Sequence, residues 1–239
     1  MQSGSLLSIV IPVGPGDETW RKLLPTLPPR QIQEVILATT TERPVDFDAV
    51  IQSLAIDPVW IQCAQGRAVQ QNTGASECKG DSLLFLHADS KLSPGALPAI
   101  RRAIHQSPDT LHFFRMRFAK DGPAATRWIN GPAMRFRSEY LGLPFGDQGF
   151  GMKRELFNKL GRFPQKASRG EDQRLVWIAH HSAAPVEVVA CPEAFVTTSG
   201  RRYLEQGWWR TTRKHLSLTL AEALEQGKLL LCAKWRWLQ

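Results

Sequence analysis

Four short apolar runs within the first 86 positions constrain the fold more than any other feature: Ser8-Ile9-Val10-Ile11-Pro12-Val13, Glu34-Val35-Ile36-Leu37-Ala38, Val59-Trp60-Ile61-Gln62-Cys63 and Leu83-Leu84-Phe85-Leu86. None alternates strictly between apolar and polar, as a strand with one wet face would, and each is short enough to be a strand buried on both sides. Helical spacing fills the gaps. Asp17 is placed to cap a helix through Leu24 that Pro25 stops, and Ala68, Asn72 and Ala75 fit a helix between Gly66 and Lys79, with Gly80 set to end it. Ser93 is placed to cap a third helix, with Pro94 in its first turn, running to about Gln106. Strands and helices in this alternation predict an α/β fold, with a mostly parallel central sheet covered by helices on both faces.

The second half reads differently. Leu111 to Phe118 alternates more nearly, as a half-buried strand, and a helical stretch follows from Arg127 to Tyr140. The Gly-rich segment Gly142-Leu143-Pro144-Phe145-Gly146-Asp147-Gln148-Gly149-Phe150-Gly151 allows the backbone to approach another group closely. Short helices are expected at Glu155–Leu160 and from Glu171 to His180, a strand at Val186–Ala190, and a mainly helical tail from Arg202. No repeat or low-complexity linker interrupts the chain. The simplest organisation is one domain over residues 1–200 and a helical extension over 201–239.

Composition narrows the class. A 43% hydrophobic and 22% charged content describes a globular chain with a sizeable core. The apolar run from Leu6 to Val13 is too short and wrongly flanked for a signal peptide or a membrane span. Cys63, Cys78, Cys191 and Cys232 form no C-x-x-C pair, which reads as reduced cysteines in a cytoplasmic protein. The net charge of +8 is uneven: between Arg201 and Gln239 eight Lys/Arg face three Asp/Glu, and four of the eight tryptophans lie there too. Such a tail suits an anionic partner, and equally a helix that packs its aromatics on the core.

In an open parallel sheet, ligands bind beyond the carboxyl ends of the strands. Three features gather there: the loop after Val13, the helix start at Gly66-Arg67, and His87-Ala88-Asp89. An Asp at a strand end is suited to hold a hard divalent cation that bridges phosphates; alternatively it makes a local turn with the amides of Ser90-Lys91. Glu171-Asp172 at a helix start serves either the helix dipole or general-base chemistry. Arg67 contacts phosphate or a base edge, or is a solvated surface residue. Arg201 and Arg202, following Thr197-Thr198-Ser199-Gly200, could clamp a diphosphate bidentately.

In order along the chain these segments resemble family 2 glycosyltransferases. Gly66-Arg67-Ala68-x-Gln70-x-Asn72-x-Gly74-Ala75, Gly80-Asp81, Leu83 to Asp89 and Pro94-Gly95 are similar to the nucleotide-sugar half. Gly146-Asp147-Gln148-Gly149, Phe163-Pro164 and Glu171-Asp172 stand where the acceptor half is expected, and Thr198 to Tyr203 resembles the ending of a small bacterial subgroup with His-Ala-Asp at the metal position. The resemblance covers most of residues 6 to 210. It implies a GT-A fold and inverting transfer of a sugar from a nucleoside diphosphate donor with Mg2+ or Mn2+. On that implication Asp89, with His87, holds the metal, and Asp172, with Glu171 beside it, is the catalytic base. Pro12, Val13, Gly14, Arg67, Asn72, His87, Ala88, Asp89, Arg201 and Arg202 contact the donor. Gly146, Asp147, Gln148 and Gly149 contact the substrate.

Departures from the family pattern sharpen the expectation. His87 replaces a carboxylate, the second strand ends in Thr39-Thr40-Thr41 without the usual nucleobase-contacting Asp, and no Gln-x-x-Arg-Trp motif of the processive members is present. The acceptor is open between a lipid-linked and a small-molecule hydroxyl, with no nucleic-acid partner, and the basic tail would give peripheral contact at the inner membrane face. The competing reading is a non-catalytic module on the same fold whose tail binds a membrane surface or polyanion. A sugar-phosphate nucleotidyltransferase would need a basic, Gly-rich loop after the first strand, yet Gly14 to Glu18 carries no basic residue before Arg21.

Overall fold

The computed structural model describes residues 7–165 and 170–236, apart from the side chains at positions 30, 202, 215, 218 and 227–236. Its strands are β1 (Leu7–Val13), β2 (Glu34–Thr39), β3 (Pro58–Gln62), β4 (Ser82–Phe85), β5 (Lys91–Leu92), β6 (Leu111–Phe113), β7 (Arg115–Phe118), β8 (Phe150–Lys153), β9 (Val186–Val188) and β10 (Phe195–Thr198). Its α-helices are α1 (Trp20–Leu23), α2 (Phe47–Gln52), α3 (Arg67–Glu77), α4 (Ala96–Gln106), α5 (Gly131–Arg135), α6 (Arg154–Lys159), α7 (Glu171–His181), α8 (Arg201–Glu205) and α9 (Trp208–Arg236). Two compact units result: Met1–Arg117 with Arg135–Thr198, and Phe118–Met134 with Ser199–Gln239.

The main sheet of the first unit has the order β3-β2-β1-β4-β8-β6-β9. β1, β2, β3 and β4 run parallel, β8 is antiparallel to β4 and β6, and β6 and β9 are parallel. The mostly parallel sheet is therefore present, with one reversed strand inside it. A small second sheet has the order β5-β10-β7.

Both faces of the main sheet are covered, which is why the first strands are apolar without alternation. Ile9, Ile11, Leu37 and Leu84 join Trp20, Phe47, Leu97, Ile100 and Ile104 in one core. Val10, Ile36, Leu83, Phe85 and Met152 join Ala75, Phe157, Phe163, Leu175 and Val176 in the other. Neighbouring strand residues thus feed opposite layers, as the pleat requires. Close approach sets the spacing: a Cβ on Gly74 of α3 would lie 2.6 Å from Val10 Cγ1, and one on Gly151 of β8 would lie 2.5 Å from Ile100 Cδ1.

Several sequence expectations are corrected. Leu111 to Phe118 is not one strand: it breaks at Phe114, so that β6 joins the main sheet and β7 the small one. The Phe114 amide turns to Gln148 O, 3.0 Å away, instead of continuing the ladder. The Gly-rich segment runs into β8 at Phe150, and Gly151 of that strand admits α4 where a side chain would collide. Gly80 does not cap α3; the helix stops at Glu77, and the Gly80 amide donates to Ser8 Oγ at 2.9 Å. Ser93 does not cap α4, because its hydroxyl donates to Glu193 O at 2.6 Å and accepts from Phe195 N at 3.0 Å. The first α-helix ends at Leu23, one residue before the expected Leu24, and a separate 3-10 turn from Leu24 to Thr26 contains Pro25.

Candidate active site

The strand order reverses direction between β1 and β4, and such a switch point opens a crevice at the carboxyl edge of the sheet. Three chain segments reach that edge directly. Val13 ends β1, Gly66-Arg67 follows β3 and opens α3, and His87-Ala88-Asp89 follows β4. The reversal of β8 brings a fourth: Phe150, at its amino end, pairs with Phe85 at the carboxyl end of β4. The turn Gly146–Gly149 that precedes β8 therefore lies at the same edge.

Gln70 fixes one wall. From α3 its Nε2 donates to Val13 O at 2.7 Å and to Ala38 O at 2.9 Å, tying the helix to the ends of β1 and β2. Gln70 stands in the motif that opens α3, but its residue type and spacing assign it no role; the buried face of α3 carries Gln71 and Asn72 as well. Asn72 was expected at the donor and is committed elsewhere. It is buried, donates from Nδ2 to Phe163 O at 2.8 Å and accepts from Phe163 N at 3.0 Å, so both ends of its amide clamp the loop after α6. Pro12 is half-buried and Val13 buried, and Gly14 O accepts from the Asp17 amide at 3.1 Å to shape the loop after β1.

At the end of β4, His87 is half-buried, Ala88 is buried and Asp89 is exposed. The turn closes through the backbone, with the Ser90 amide donating to His87 O at 3.1 Å. Among the described residues no hydrogen bond is made to the Asp89 carboxylate. The chain therefore does not use this carboxylate to build the turn.

The turn at Gly146 carries the densest chemistry. Gln148 is fully buried and holds the turn, donating from Nε2 to Phe114 O at 3.0 Å and accepting from the Phe145 amide at 3.3 Å. Gly149 has φ +68°, and a Cβ there would meet Leu86 at 2.9 Å and Phe114 at 3.1 Å. The Gly146 amide donates to Asp172 Oδ2 at 2.6 Å, and a Cβ on Gly146 would stand 3.0 Å from that same oxygen. Asp172 Oδ1 accepts from the Gln173 amide at 2.9 Å. Asp172 lies in the first turn of the eleven-residue helix α7, where the helix dipole favours negative charge.

Around this contact sit further charges. Asp147 Oδ1 is buried and has no hydrogen-bond partner among the described residues. Burial pushes the Asp147 carboxyl up to about 6; Arg137 opposes the rise, the charges of Asp172 and Asp89 add to it, and Arg67 opposes it. Glu171 is buried, with Oε1 3.5 Å from Arg67 Nη1. Burial, then Asp172, raise its carboxyl, while its own backbone amide and Arg67 lower it. Residues expected at the metal, the donor and the acceptor thus share one electrostatic neighbourhood in the first unit. Arg201 belongs to the second unit, where its Nε lies 3.7 Å from Asp121 Oδ2, and the Arg202 side chain lies outside the described residues.

Carboxylates outnumber cations in this neighbourhood, and the orphaned Asp147 oxygen adds to the excess, which fits a hard divalent cation. It is no ready-made cage: among the described residues no group of three His, Cys, Asp or Glu side chains is arranged to hold a metal. A cation at Asp89 and His87 would need ligand phosphates and water to complete its shell, the arrangement Mg2+ favours.

Comparison with solved structures places the fold. S. aureus TarS superposes with a TM-score of 0.61 at 13% identity, covering 81% of this chain and 36% of that one. TarS 1-349 in complex with UDP-GlcNAc gives 0.58 at 13% identity over 81% of this chain and 58% of that one. GalNAc-T7 with UDP, GalNAc and Mn2+ gives 0.63 at 13% identity over 83% of this chain and 44% of that one. The chain thus spans between about a third and three-fifths of the length of these proteins, and shares their GT-A fold. Comparison with curated proteins gives no match. Residues 32–161, more than half of the sequence and running from β2 through α6, match the family model described as glycosyl transferase family 2, and the chain belongs to that family.

Proposed function

We propose that the protein transfers a sugar, with inversion, from a nucleoside diphosphate donor to an acceptor hydroxyl, and that Asp172 is the base that takes the hydroxyl proton. The observation that carries this reading is the pinned carboxylate. A structural helix-start acid needs no partner beyond its own helix, but Asp172 is also gripped by the Gly146 amide from a distant loop, at the carboxyl edge of a GT-A sheet. Preorganising a base in this way avoids reorientation during proton transfer.

The other residues divide the remaining work. Glu171, buried and paired with Arg67, holds the guanidinium at the start of α3, where the ribose or diphosphate of a donor would lie. Asp89 and His87 would hold a divalent cation, and such a cation supplies electrostatic stabilisation of the leaving diphosphate. Val13 and the loop after it would line the nucleoside. Thr39 and Thr41, whose hydroxyls lie 3.1 Å apart, offer neutral groups where the family carries an Asp. The bound UDP-GlcNAc of TarS, and the UDP, GalNAc and Mn2+ of GalNAc-T7, support the class of donor on the same fold.

Calorimetry with UDP, GDP and dTDP in the presence of Mn2+ tests the donor side. At least one nucleotide should bind the wild type and bind Asp89→Ala at least tenfold more weakly. No binding by any of them, or identical binding by the variant, would falsify it.

A further inference from the structure

Helix α9 is patterned inside out. Among the described side chains, the buried ones are polar: Thr211 is 2% and Gln226 9% exposed, and Thr212 and the half-buried Trp208 both bond to Asn130. Among its exposed side chains are four large apolar ones: Trp209 at 64%, Leu216 at 57%, Leu220 at 53% and Leu224 at 67%. At 3.6 residues per turn these four fall on one stripe. Ordinary surface helices show the opposite arrangement, so this stripe needs a nonaqueous neighbour.

Two further observations identify the neighbour. Arg210, Arg213 and Lys214 are exposed on and beside the stripe and, with Trp208 and Trp209, line a groove along the first turns of α9. The same unit exposes Trp128 at 78% and Ile129 at 55% on the helical turn Thr126–Asn130, which is π-helical. Asn130 fastens that turn to the start of α9, accepting from Trp208 Nε1 at 2.7 Å and donating to Thr212 Oγ1 at 3.0 Å. A leucine stripe that starts beside Arg213 and Lys214, with Trp209 at its amino end, suits a helix whose first turns meet anionic headgroups. A second copy of this face would set like charges against each other. No described helix is long and apolar enough to cross a membrane.

We infer that the second unit docks on an anionic lipid bilayer, with Trp209, Leu216, Leu220 and Leu224 entering the headgroup boundary and Arg210, Arg213 and Lys214 contacting lipid phosphates. The inference is independent of the catalytic assignment, since none of these residues belongs to the candidate active site.

Vesicle co-sedimentation of the whole chain tests it, using phosphatidylcholine alone and phosphatidylcholine with about 30% phosphatidylglycerol. The wild type should partition at least tenfold more strongly onto the anionic vesicles and be released by high salt. Leu216→Glu with Leu220→Glu, and separately Arg210→Glu with Arg213→Glu, should each lose at least tenfold in partitioning at unchanged thermal midpoint. Three results overturn the proposal: no preference of the wild type for anionic vesicles, which needs no variant to be read; binding that survives the leucine substitutions, as a generic polyanion site would show; or a dimer in analytical ultracentrifugation that the leucine substitutions dissolve.

Discussion

The Gly146 amide stands 2.6 Å from Asp172 Oδ2, joining residues 26 positions apart in the chain. Neither partner is informative alone, because an acid at a helix start and a glycine in a loop are both common. Together they fix a carboxylate at the ligand-binding edge of the sheet. A side chain would crowd the contact, since a Cβ on Gly146 would lie 3.0 Å from the same oxygen and Asp172 would have to give way.

Gly146→Ala is therefore expected to displace Asp172 while leaving the cores intact. Turnover should fall about a hundredfold, the lower end of what a positioned base contributes, with nucleotide affinity unchanged. Steady-state kinetics beside nucleotide calorimetry separates the two effects; a matched loss of affinity would place the damage elsewhere.

Asp147 predicts a pH signature in stability. Its folded carboxyl is raised to about 6 from 3.8, so between those values the folded state holds a proton that the unfolded chain has released. This contribution falls as pH rises through that window and is lost above about 6. Asp147→Asn should remove the dependence and stabilise the protein at pH 7 by about 2–3 kcal/mol, measured by urea unfolding without added divalent cation. An unchanged difference between the two proteins from pH 4 to pH 7 would contradict the assignment.

Arg67 is half exposed, so its ion pair with Glu171 contributes little to folding. Arg67→Ala should leave stability within about 1 kcal/mol of wild type. Nucleoside diphosphate binding should nevertheless weaken about tenfold, the loss of one charge-assisted contact. Calorimetry and denaturant unfolding on the same preparation read both.

Gly74 tests the packing of α3 on the sheet. Gly74→Ala would bring a methyl group to 2.6 Å from Val10 Cγ1, with Ile36 and Ala38 closing the other sides at 3.5 Å. A loss of about 1–3 kcal/mol in unfolding free energy is expected, despite the better helix propensity of alanine.

Much of the fold was legible because burial on both faces leaves a plain mark, and β1 to β4 fall within a residue or two of their apolar runs. The reversed strand β8 was not. Gly151 sits in it because Ile100 occupies the space of a side chain, and a glycine selected by a distant helix looks locally like loop. The break between β6 and β7 was hidden for a similar reason: Phe114 is buried like its neighbours, and only the Gln148 carbonyl from another segment ends the ladder there. At the site, residue types and order pointed to Arg67, Asp89, Glu171 and Asp172. Gln70 and the commitment of Asn72 to Phe163 depend on contacts as many as 91 positions apart, which local pattern does not encode.

The central claim is that Asp172 activates the acceptor for sugar transfer. The most direct test is release of nucleoside diphosphate from a panel of UDP-, GDP- and dTDP-sugars with Mn2+, for wild type and Asp172→Asn. At least one donor should be turned over by the wild type and at least a hundredfold more slowly by the variant, with equal nucleotide affinity for the two. Equal turnover by Asp172→Asn, or none by the wild type on any donor it binds, would contradict the account.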